Sequence, residues 1–313
     1  MHTQNVVGPI ASALLMISSA LPGWAAELQG QVSYDTVQVG DVSVFYRAAG
    51  PETAPTILLL HGFPSSSHMF RDLIPELAEN YRVIAPDYPG FGQSSAPDAA
   101  AYDYDFDTLA TTIAEFTEAL DLPSYTLFMQ DFGGPVGFRL AEADPAKVDG
   151  IIIQNATIHA QGWNPDIVAQ FAPFWENRTT ETEAPVRGFF AAETTKWQYT
   201  QGASLAHRIN PDAWVSDQAG LGRPGNHDIQ LEYLWNYQDN VAQYPAWQAY
   251  LAEQQPDTLI VWGRNDPFFL IDGVDAIQDL VPAAEVHLFD AGHFALETHA
   301  TEIGAAVRRF MAR

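Results

Sequence analysis

Short apolar runs alternate with longer amphipathic segments through most of the chain. TILLL leads to HGFP at 61–64, RVIAPD leads to YPGFGQS, YTLFMQD leads to FGG, and VDGIIIQNA leads outward; TLIVWGRND and EVHLFDAGH repeat the form later. Between most of them lie stretches with helical periodicity, such as FRDLIPELAEN, FDTLATTIAEFTEAL and PVGFRLAEAD. Runs of four to six buried residues separated by amphipathic helices predict an α/β fold, a mostly parallel central sheet with helices on both faces. Ahead of them, QVSYDTVQVG and VSVFYRAAG predict an antiparallel pair turning at Gly40 and Asp41. The rhythm breaks between about His159 and Glu253, where Trp, Tyr, Phe, Asn and Pro are dense and no strand-like run occurs. That stretch reads as a mainly helical insertion, and its natural role is a lid over the active edge of the sheet.

Composition narrows the picture. With 313 residues, 47% of them hydrophobic, the chain can bury a large core. Asp and Glu number 39 against 14 Lys and Arg, a formal charge of −25, which argues against nucleic acid or an anionic membrane as partner and leaves a small-molecule substrate. The absence of cysteine excludes disulfides and thiolate metal sites. Residues 1–25 carry no Asp, Glu, Lys or Arg and contain the apolar run IASALLMISSAL, the form of a cleavable secretory signal peptide. The expected organisation is therefore a leader over 1–25, a core domain over 26–158 and 254–313, and a cap over 159–253. Export to a periplasm or to the medium follows from the leader.

The groups with chemical potential stand where predicted strands end: His61 to Pro64, Asp131, Asp266 and His293. Each has a plain structural reading when taken alone. Asp131 could be a carboxylate stabilised at a helix N-terminus, His293 a satisfied core histidine, and Asp266 a turn residue before Pro267. Their common placement on the ligand-binding edge of an α/β sheet outweighs those readings. Ser94 in GQSSA sits before Pro97 with no helix to follow, and reads as a turn residue.

From about Thr36 onward the chain resembles the α/β-hydrolase superfamily, in its Asp-nucleophile branch of epoxide hydrolases and haloalkane dehalogenases. The resemblance rests on HGFP at 61–64, DYPGFGQS at 87–94, QDFGG at 130–134, NDP at 265–267 and GHFALE at 292–297. It implies that Asp131 is a nucleophile on a strand-to-helix elbow, His293 the base and Asp266 the acid that orients it. It further implies an oxyanion hole from the backbone N–H groups of Phe63 and Phe132, and a substrate pocket that includes His61, Pro64 and Trp197. No cofactor or metal is implied. The branches differ in leaving group: an epoxide alkoxide takes hydrogen bonds from two lid tyrosines, for which WQYTQG and LWNYQDN nominate Tyr199 and Tyr237, whereas halide takes N–H donors. Phe132, directly after Asp131, carries no side-chain donor. Epoxide hydrolysis to a diol is therefore the favoured expectation, with haloalkane dehalogenation the alternative, and a non-catalytic ligand-binding hydrolase fold ranks last.

Overall fold

The structure is a computed structural model, which describes residue 1 and residues 31–313. The leader expected over residues 1–25 lies, Met1 apart, outside the described residues. Among the described residues eight strands form one sheet. β1 (Ser33–Val39) and β2 (Val42–Ala49) make a hairpin turned at Gly40 and Asp41, with Val39 opposite Val42. Then come β3 (Thr56–Leu60), β4 (Arg82–Pro86), β5 (Tyr125–Gln130), β6 (Val148–Gln154), β7 (Thr258–Gly263) and β8 (Glu285–Phe289). The spatial order is β1-β2-β4-β3-β5-β6-β7-β8, and only β2 runs against the others.

Every residue of β3, β5 and β7 is buried, as expected of strands covered on both faces. Their side chains alternate between two cores. Leu58, Leu60, Leu127, Met129 and Trp262 belong to one, packed with α2 (Phe106–Ala119), α3 (Gly133–Ala143) and α9 (Asp272–Leu280). Ile57, Leu59, Phe128 and Val261 belong to the other, with α1 (Leu73–Leu77) and α10 (Leu296–Met311). Local signals agree with this packing: α2 starts where the Asp105 carboxylate accepts a hydrogen bond from the Thr108 N–H at 2.7 Å.

Topology decides where a ligand can sit. The chain leaves β3 for β4 on one side and returns to β5 on the other, so the segments after β3 and β5 diverge and open a crevice at their carboxyl ends. HGFP follows β3 and Asp131 follows β5. Over that crevice, between β6 and β7, run α4 (Pro165–Glu176), α5 (Thr180–Arg187), α6 (Ala192–Thr200), α7 (Asp212–Leu221) and α8 (Asn226–Gln254). On α8, Tyr233 and Tyr237 lie four residues apart and so share a face. That face packs on Phe106 and Phe132, with ring centroids 5.6–6.4 Å apart at four contacts that join α8 to α2 and to the turn after β5. Among the described residues no helix is long and apolar enough to cross a membrane.

Candidate active site

The turn between β5 and α3 is tight. Asp131 has φ 51°, a left-handed conformation that costs a non-glycine residue about 1–3 kcal/mol and persists where the surroundings enforce it. Two glycines make the turn possible. A Cβ on Gly133 would lie 2.2 Å from the Leu60 carbonyl oxygen, and one on Gly62 would lie 2.3 Å from the Asp131 Cβ. Bare backbone at both points lets the loop after β3 touch the elbow. The Phe63 N–H then donates to Asp131 Oδ1 at 2.6 Å, and the Phe132 N–H also stabilises that carboxylate. Burial pushes the Asp131 carboxyl above its ordinary range, while His293 and these two N–H groups pull it back.

His293 stands in the loop between β8 and α10. Its Nδ1 lies 2.8 Å from Asp266 Oδ2, so the Nδ1–H donates to that carboxylate. Asp266 is itself held: its Oδ2 also accepts from Asn155 Nδ2 at 2.7 Å, and its Oδ1 from the Phe268 N–H at 2.7 Å. Burial alone would lower the basicity of His293, but the charge and hydrogen bond of Asp266, aided by the charge of Asp131, raise its pKa above 6.5. The other ring nitrogen, Nε2, faces Asp131 Oδ2 at 3.9 Å and the Gln130 amide nitrogen at 3.0 Å. Among the described residues no group of His, Asp and Glu could hold a metal ion.

Asn155 was not singled out from the sequence, yet it ties the parts together. Beyond its bond to Asp266, its Oδ1 accepts from the Gly263 N–H at 3.0 Å and its carbonyl accepts from the Asp131 N–H at 3.3 Å. It has φ 45°, a conformation asparagine tolerates better than most residues. The available signal was its position one residue past β6, the same kind of strand end that delivers Asp131. Gln130, noticed only as the neighbour of Asp131, supplies the amide that contacts His293.

A cavity of about 40 Å³, measured as the space open to the centres of water-sized molecules, lies between this edge and the insertion. Asp131, His293, Phe63 and Phe132 form its floor, and Trp163, Trp175, Gln198 and Tyr237 contribute to its roof. Both indole N–H groups are committed elsewhere: Trp163 donates to the Tyr244 hydroxyl and Trp175 to the Leu234 carbonyl, each at 2.9 Å.

Several sequence-nominated residues lie elsewhere. Tyr199 is not at the cavity: its ring stacks on Phe294 at 3.9 Å and its hydroxyl donates to Asp217 Oδ2 at 2.5 Å. Trp197 is 37% exposed, on the outer face of α6, does not line the cavity, and makes an edge contact with Phe268. The reason is helical geometry: successive residues point about 100° apart, so Gln198, not its neighbours, enters the cavity. His61 is buried beneath the loop rather than lining the cavity. Its Nδ1–H donates to the Gly62 carbonyl, its Nε2 accepts from the Tyr88 N–H, and burial lowers its pKa to about 3, so it is a neutral support for the segment that carries Phe63. Pro64 follows a cis peptide bond and faces a second, smaller cavity bordered by Asp217.

A side chain presented on a strand-to-helix elbow, with an imidazole and its carboxylate partner on later strand ends, is the architecture of the α/β hydrolases. A family model described as alpha/beta hydrolase fold matches residues 55–300, and the chain belongs to that family. An uncharacterized hydrolase of Saccharomyces cerevisiae is 36% identical over 278 residues, 88% of this chain and 95% of that protein. A haloalkane dehalogenase of Psychrobacter cryohalolentis is 38% identical over 125 residues, 40% of this chain and 41% of that enzyme. The structure of the epoxide hydrolase CorEH superposes with a TM-score of 0.73 at 20% identity, over 90% of this chain and 99% of that one, a likeness of fold. The protein is a hydrolase, with haloalkane dehalogenases among its partial relatives, and it shares its fold with an epoxide hydrolase.

Proposed function

We propose that the protein hydrolyses small apolar epoxides to diols through a covalent ester on Asp131. The observation that carries this reading is the donor set of the cavity. Tyr237 lines it and carries a hydroxyl, while Phe132 offers no side-chain donor and the Trp163 and Trp175 N–H groups are occupied. A hydroxyl can pass a proton to an alkoxide, whereas halide release requires only N–H or similar donors.

In the first step an Asp131 oxygen attacks an epoxide carbon, that carbon–oxygen bond breaks, and Tyr237 protonates the released oxygen. Asp131 becomes an alkyl ester. In the second step His293 takes a proton from water as its oxygen attacks the ester carbonyl carbon. The Phe63 and Phe132 N–H groups hold the resulting oxyanion, as they hold the free carboxylate. Collapse expels the second product oxygen, which takes the proton from His293. The remaining water proton leaves Asp131 as its carboxyl ionises and returns to Tyr237, so one epoxide and one water become one diol. Esterification also removes the Asp131 charge that raises His293, which lowers the pKa of the base at the stage when it must be neutral.

Haloalkane dehalogenation is the second reading, favoured by the Psychrobacter cryohalolentis relative. The experiment that separates them is a turnover screen of terminal epoxides and bromoalkanes, reading diol against halide, with His293→Gln examined by mass spectrometry. The expected result is diol formation and an epoxide-mass adduct on Asp131 that accumulates in the variant. Halide release with no diol from any epoxide would replace the proposed reading, and no adduct from either class would remove Asp131 as nucleophile.

A further inference from the structure

The cavity roof contains a polar group that the proposed chemistry has not yet used. Gln198 lines the cavity, is 2% exposed, and its amide nitrogen has no hydrogen-bond partner among the described residues. An enclosed polar group without a partner costs about 1–3 kcal/mol, and such groups in folded proteins call for an explanation. Its neighbours on α6 have theirs: Tyr199 is bonded to Asp217 and Trp197 meets solvent. A half-turn of an amide exchanges its oxygen and nitrogen with little change of shape, so the side chain can present N–H to a ligand in the cavity.

We propose that the Gln198 amide donates a hydrogen bond to the epoxide oxygen as it leaves carbon, sharing that oxygen with the Tyr237 hydroxyl. This rests on the epoxide reading above. The two donors are unequal in kind. Tyr237 can release its proton, whereas a neutral carboxamide can only donate a hydrogen bond, so Gln198 stabilises the developing charge and Tyr237 completes the transfer. Tyr237 is supported in this by its own neighbours: its hydroxyl interacts with that of Tyr244, whose oxygen accepts the Trp163 N–H. An indole can only donate, so it fixes the Tyr244 oxygen as an acceptor beside Tyr237. The pocket is thereby matched to a small substrate with one compact oxygen acceptor reached from two sides.

The test separates the two half-reactions by single-turnover kinetics with a terminal epoxide in the wild type, Gln198→Met and Gln198→His. The expected outcome is that Gln198→Met slows ester formation on Asp131 about 100-fold and leaves hydrolysis of the ester within twofold. Gln198→His, which restores an N–H donor, recovers part of the loss. The melting temperature of Gln198→Met should be unchanged or higher, because an apolar chain replaces an unpartnered amide; Gln198→Ala serves if Gln198→Met does not fold. Ester formation within twofold of wild type in the Met or Ala variant overturns the assignment, as does an equal slowing of both half-reactions. A wild type that forms no epoxide adduct brings down the underlying reading instead, and the assignment with it.

Discussion

Asp131 and Asp217 are both buried carboxylates that face opposite problems. Asp131 meets two backbone N–H groups and an imidazole, and opens on the cavity. Asp217 has the Tyr199 hydroxyl as its side-chain hydrogen-bond donor among the described residues, with Glu297 and Asp87 adding negative charge nearby. Burial raises both carboxyls, and Asp217 is pushed well above its ordinary value. Burial alone therefore does not separate the two carboxylates. What distinguishes Asp131 is a set of aligned donors that holds negative charge where a ligand can reach it.

The largest expected effect follows from that contrast. Asp131→Asn, which tolerates the left-handed backbone at this turn, should lower turnover by on the order of 10⁴-fold or more. Asp217→Asn should leave turnover within a few fold, because an amide oxygen can still accept the Tyr199 hydroxyl. Steady-state rates on the best epoxide decide it, and comparable losses in both variants would erase the distinction.

The two tyrosines nominated by the lid sequence sharpen the same comparison. Tyr237→Phe removes the hydroxyl at the cavity and should slow ester formation by about 10²-fold or more. Tyr199→Phe should instead act on stability, by about 1–3 kcal/mol, since it strips Asp217 of its donor inside the fold. Single-turnover rates and denaturant midpoints measured on both variants read the two effects separately. A large rate loss in Tyr199→Phe with Tyr237→Phe unaffected would reverse the roles.

How much of this could be read from residues alone differs between the sheet and the insertion. Strands announce themselves as apolar runs, and the sheet edge collects whatever follows each run, so Asp131, Asp266 and His293 could be proposed as neighbours although 162 positions separate the first and last in the sequence. Asn155 obeyed the same rule and was passed over because an amide at a strand end carries no obvious chemistry. On α6, by contrast, a single-residue rotation of about 100° decides between Trp197 outside, Gln198 in the cavity and Tyr199 beside Asp217. Helix periodicity could not supply that phase, because polar and aromatic residues are mixed on every face of the segment AETTKWQYT. Hydrogen-bond competition for the indole N–H groups was likewise invisible without coordinates.

The smallest effect tests the protonation of Asp217 directly. An unfolded aspartate loses its proton near 3.8, whereas folded Asp217 retains it to well above that value because burial disfavours the charged form. Between those two limits the unfolded chain binds fewer protons than the native one, so this group makes stability fall as pH rises, by at most about 1.4 kcal/mol per pH unit for one proton. Asp217→Asn removes the titration. Its melting temperature relative to wild type should therefore climb as pH rises above about 4, by a few degrees overall. Thermal unfolding of both proteins across that range measures the difference. A difference that stays flat would mean that Asp217 is ionised in the native state near neutrality, and the contrast with Asp131 would then rest on access to the cavity alone.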